Sequence, residues 1–156
     1  MIRRPRFRGD CGVAGAEALA LGVLVFLFGT LLVANVWAVI DAKMATTSAA
    51  REAARAFALA DEAPVPAAWA AAERSLAAHG WPREASEALE LDGAHERCAV
   101  VRARVTLSVE PIALPDAGFG HAFSVTSEHR ERVDPLRGGL GGEVEPQPGA
   151  TLCGAS

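Results

Sequence analysis

The chain has 156 residues, 51% of them hydrophobic, and a formal net charge of -4. That length holds one modest domain, and the dense basic run, Arg3, Arg4, Arg6 and Arg8, is confined to the first residues, which argues against a nucleic-acid-binding face. The hydrophobic excess is also uneven: it is concentrated between Ala18 and Ile40, and the remainder is Ala-rich and charged like an ordinary soluble domain.

Residues 1–12 read as a basic leader. From Ala18 to Ile40 there is no charged residue, and the stretch exceeds the roughly 20 residues that cross about 30 Å of hydrocarbon. The arginines lie before it, whereas Asp41 and Lys43 balance each other after it, so the positive-inside rule places the N-terminus in the cytoplasm and exports the rest. Trp37 suits an interfacial anchor, and Thr30 and Asn35 read as tolerated polar residues rather than helix-pairing ones.

A secretory signal peptide has a shorter apolar region followed by a break. Here the segment from Asp41 to Ala60 continues without Gly or Pro and is made mostly of strong helix formers. One helix is therefore expected from about Glu17 to Asp61, stopped by Pro64 and Pro66. At 1.5 Å per residue it would be on the order of 65 Å long, a membrane span carrying a rigid stalk. Residues 13–62 form this unit, and residues 63–134 a small extracytoplasmic domain.

In that domain Pro66–His79 reads as a second helix ended by Gly80, with Trp69 and Leu76 turned to a core, folding back on the stalk. Glu87–Leu91 is a short strand candidate closed by the turn Asp92-Gly93. From Cys98 to Val109 the alternation is clear, with Val101, Ala103, Val105, Leu107 and Val109 on one side and Arg102, Arg104, Thr106 and Ser108 on the other. Phe119–Val133 repeats the pattern through Phe119, Phe123 and Val125. The expected fold class is α+β: a long N-terminal helix, a second helix and a small antiparallel sheet of two or three strands. Residues 135–156 read as a flexible, disordered Pro/Gly-rich tail.

Cysteine placement leaves one question open. Cys11 belongs to the leader. Cys98 and Cys153 both fall in the compartment where disulfides persist, and a bridge between them would tether the tail, but spacing alone does not decide the pairing. His95 and Cys98 offer two metal ligands with no second pair at zinc-site spacing, and His79, His121 and His129 read as solvated or structural. With no nucleophile elbow and no phosphate-cradling loop, the sequence predicts no enzyme, no metal, no cofactor and no small-molecule substrate.

The residues before the span carry a further signal. In Gly12-Val13-Ala14-Gly15-Ala16-Glu17 a lone Glu follows a Gly by five residues at the threshold of the apolar helix. This resembles type IV pilin-like proteins, whose basic leader is cut after Gly and whose fifth mature residue is Glu. Only cleavage between Gly12 and Val13 fits that spacing. A carboxylate at the edge of hydrocarbon costs up to about 3 kcal/mol unless it is paired or reaches water. Its partner would be the new amine of Val13, on the same helix or on a neighbouring subunit; the other reading is a Glu that marks the end of the span and snorkels to the interface.

Together with the stalk segment Ala49–Ala58 and the segment Thr126–Gly138, this leader is similar to the TadE family of the Tad/Flp pilus apparatus, over roughly Arg8 to Gly138. Such proteins are minor pseudopilins, processed by a prepilin peptidase and needed for assembly or initiation of thin adhesive pili. The resemblance implies membrane lipid, other pilin or pseudopilin subunits and the peptidase as partners. Ala18 departs from the family, which usually carries an aromatic directly after the Glu. The alternative is an uncleaved signal-anchor protein whose exported domain is a receptor, scaffold or envelope-binding module. A secreted domain freed from a signal peptide comes third.

Overall fold

A computed structural model describes residues 13–81, 89–111, 123–141 and Cys153, with side chains from Glu17 onward. The element order is α1 (Val13–Leu59), α2 (Pro64–Ala78), β1 (Leu89–Asp92), β2 (Val100–Val109) and β3 (Phe123–Arg132). The strands form one antiparallel sheet in the order β1-β2-β3, so the class is α+β as the periodicities required.

Helix α1 runs 47 residues without interruption, about 70 Å at the ordinary rise. Its stop differs from expectation. The helix ends at Leu59, five residues ahead of Pro64, which instead occupies the first turn of α2 together with Pro66. Proline costs nothing there, because the amides of a first turn have no intrahelical acceptor. The reversal passes through Asp61-Glu62-Ala63, where Ala63 takes a left-handed backbone, φ 52° and ψ 58°.

The core is built on the outer half of α1. Ala45, Ala49, Ala50, Ala53, Ala54, Phe57 and Ala58 are buried and pack with Ala68, Ala72 and Leu76 of α2 and with Val101, Ala103, Val105 and Leu107 of β2. The alternation read in β2 is the one observed, with Val101 to Val109 in steps of two turned inward. Leu76 is wholly buried and Trp69 packs partly buried beside it. The short strand begins at Leu89 where described, and Glu87 lies outside the described residues.

On β3 the apolar alternation fades, and Phe123, expected on the inner face, is 54% exposed. The reason is its partner surface. Ser127 faces the hydroxyls of Thr46 and Thr47 on α1, at 2.7 and 3.1 Å, while Phe123 is the first residue of the strand, at its open end. Phe119 and His121 lie outside the described residues.

The turn before β2 is tight. Gly93 has φ 124°, and a Cβ there would stand 2.6 Å from the carbonyl oxygen of Val100. Gly93→Ala should therefore lower stability, whereas Ala63→Gly, which relieves a left-handed alanine, should raise it by about 1 kcal/mol. Thermal unfolding of both variants in detergent checks the opposite signs; equal shifts in one direction would contradict this account.

Candidate membrane anchor and assembly face

The two halves of α1 have opposite environments. From Leu19 to Val33 every side chain is exposed, although nearly all are apolar, and burial begins in earnest at Ala42. A helix that is apolar all round needs an apolar medium on every side. By length and composition Glu17–Leu59 contains enough apolar helix to cross a membrane, and among the described residues it is the one such helix.

The polar groups within it are already satisfied. Thr30 donates back to the carbonyls of Leu27 and Phe26 at 2.8 and 3.1 Å, and Asn35 Nδ2 donates to Leu31 O at 2.8 Å. Both therefore close on their own helix, consistent with tolerated polar residues in hydrocarbon.

Of the residues expected at the processing site, Gly12 lies outside the described residues, and Val13 lies in α1. Glu17 is exposed one turn further along, and a spacing of four places Val13 and Glu17 on one helix face. Glu17 is the only charged residue from Val13 to Ile40.

The domain is fastened to α1 by polar contacts as well as by its core. Lys43 Nζ donates to the carbonyl of Thr126 at 2.6 Å, and the Ser75 hydroxyl donates to that of Ser48 at 3.2 Å. Arg137, in the segment first read as tail, donates to the carbonyls of Ala58 and Leu59 and to Asp61 Oδ1, the last at 2.7 Å. A cation on the final carbonyls of a helix meets both its unpaired acceptors and its negative end. The Arg137 carbonyl in turn accepts from Arg97 Nε at 2.9 Å, and Gly141 O accepts from Arg97 N at 3.0 Å. Sequence reasoning missed this clamp, because an arginine in a Gly/Pro-rich stretch carries no periodic signal.

The cysteines are brought together. Cys98 and Cys153 form a disulfide with their Cα atoms 5.3 Å apart, so Cys98 is no thiolate ligand for a metal beside His95. The His95 ring instead meets Phe57 edge-on, with centroids 5.3 Å apart. Among the described residues no group of three His, Cys, Asp or Glu side chains converges on one point.

The outer face of the sheet is a lattice of ion pairs. Glu128 meets Arg102, Arg104 and Arg130 at 3.1, 3.1 and 3.0 Å. Hydrogen bonds from Arg104 and then Arg130 hold its carboxyl below the ordinary range. The group is exposed, so the network fixes strand register more than it adds stability. A cleft of about 410 Å³ between α1 and β3 carries both signs of charge, being lined by Arg51, Arg55 and Arg132 together with Glu131 and Asp134.

No family model, curated protein or solved structure matches the chain.

The bridge gives a direct check. Alkylation of the native protein should leave Cys98 and Cys153 unmodified until reductant is added. Labelling of both without reductant would contradict the pairing.

Proposed function

We propose that the chain is a single-pass, TadE-like minor pseudopilin of a Tad/Flp pilus assembly or secretion apparatus, with its N-terminus in the cytoplasm and its domain outside. One observation supports this above the others: α1 passes without a break from a bare apolar half into the half that forms the domain core. A subunit that joins its neighbours by helix packing in the bilayer and presents a domain outside needs both halves on one rigid rod. The same continuity speaks against removal at the end of the apolar segment, since a cut there would sever a helix whose next turns are buried.

In this reading a prepilin peptidase cuts between Gly12 and Val13, and the carboxylate of Glu17 pairs with the new amine to set register among subunits. The chain is taken as a non-enzymatic component whose partners are lipid, the peptidase and other pilin-like subunits. The disulfide between Cys98 and Cys153 agrees with an extracytoplasmic domain, because such bonds persist in oxidising compartments.

Orientation is tested by a reporter active only outside the cytoplasm, fused after Ala60 in a chain that keeps its leader, where activity is expected. Activity of a cytoplasm-only reporter at that point would overturn the topology.

Processing is tested by mass spectrometry of the membrane-extracted protein from a strain with an active prepilin peptidase. A mature chain beginning at Val13 is expected, and a bulky residue in place of Gly12 should leave full-length precursor. Glu17→Gln should still be cut, yet fail to join the assembly, since it keeps the volume and loses the charge. Retention of residues 1–12 in the native protein would replace this reading by the uncleaved signal anchor.

A further inference from the structure

The level of each element along α1 can be read from its contacts. Ser127 stands opposite Thr46 and Thr47. Val125, two residues earlier on β3, packs with Ala42. Two strand residues advance about 6.6 Å and four helix residues about 6 Å, so β3 climbs in step with α1. Another two residues down, Phe123 is level with about Ala38. Its register partner Val109 confirms this height by packing in the same cluster as Ala38, Val39 and Ala42.

The bilayer reaches the same height. Twenty helical residues from Glu17 end at Val36, about 30 Å along the axis, which is the thickness of the hydrocarbon core. Trp37 to Ile40 then fall in the headgroup layer. Trp37 is 70% exposed, Ile40 46% and Phe123 54%. Trp37 precedes Ala42 by five residues, about 140° around the helix from the side that carries the domain. Two aromatic rings, on different elements and different sides of the rod, therefore share one depth.

We propose that the domain rests directly on the membrane surface, with Phe123 inserted in the headgroup layer beside the lipid and Trp37 as its counterpart across the helix. Aromatic side chains favour that layer, and Val109, the register partner of Phe123, packs against Ala38 and Val39 at the outer end of the apolar segment. The proposal rests on the membrane anchoring argued above and adds a second, domain-borne contact with lipid. No bare stalk separates bilayer from domain.

The test uses the full chain carrying Cys11→Ser, with its disulfide closed, in phosphatidylcholine–phosphatidylglycerol vesicles containing a headgroup-nitroxide lipid. A single environment-sensitive fluorophore is attached at Trp37→Cys, Phe123→Cys or Leu136→Cys, one site per protein. Ser124→Cys, exposed one residue further along, reads the same region while keeping the aromatic ring. Leu136 adjoins Arg137, which is bound to the far end of α1, about 30 Å above Trp37. Lipid quenching at 123 and 124 within about twofold of that at 37, and none at 136, is expected for a shared depth in the interface. Lipid quenching at 37 with only iodide quenching at 123 and 124 would overturn the proposal while leaving the anchor intact. Loss of lipid quenching at all sites would overturn the anchor itself. Shielding of 123 and 124 from both quenchers would show a second protein surface there and overturn the lipid contact.

Discussion

The fold depends on how closely its layers approach α1, and alanine sets that distance. Ala45, Ala49, Ala50, Ala53, Ala54 and Ala58 form the inward stripe, and Ala68 and Ala72 meet it from α2. Each contributes a single methyl, so little apolar area is buried per residue, and the stabilisation comes from close contact over a long seam. A larger side chain at these buried positions would push α2 or the sheet outward, because a packed interior has little room to yield. The bulk needed to fill the space comes from the other layers, from Leu76, Val101 and Val105.

This explains why the fold was largely legible in the sequence while its fastening was not. The span is declared by composition, and β2 by strict alternation, since its two faces meet apolar core and water. The β3 inner face is harder to read, because Ser127 is buried against threonine hydroxyls and no longer looks like a core position. Pro64 reads as a stop in the sequence, whereas its role is to begin the next helix. The two signals are the same residue in the same loop, and only the backbone between Leu59 and Pro64 separates them.

The same contrast holds at the candidate site. The Gly12-to-Glu17 spacing is a pattern in the sequence alone, and neighbours in the bilayer are what would give it meaning. Arg137 and Cys153 work the other way round. Both lie in a stretch too poor in apolar residues to predict any structure, yet one closes the end of α1 and the other is covalently held to Cys98 at the turn before β2. Long-range polar and covalent ties obey no local period, so a single chain read from end to end does not reveal them.

The unbroken course of α1 has a mechanical consequence. Because the bare apolar half and the residues under the domain belong to one helix, the azimuth of the domain is fixed by the azimuth of the apolar half. Inserting one residue between Ile40 and Asp41 would lift the domain by only about 1.5 Å but turn it by about 100° relative to the apolar half. Any neighbour that grips the apolar half therefore also dictates which side of the sheet looks toward it, and the protein behaves as a key whose shaft and bit cannot be rotated separately.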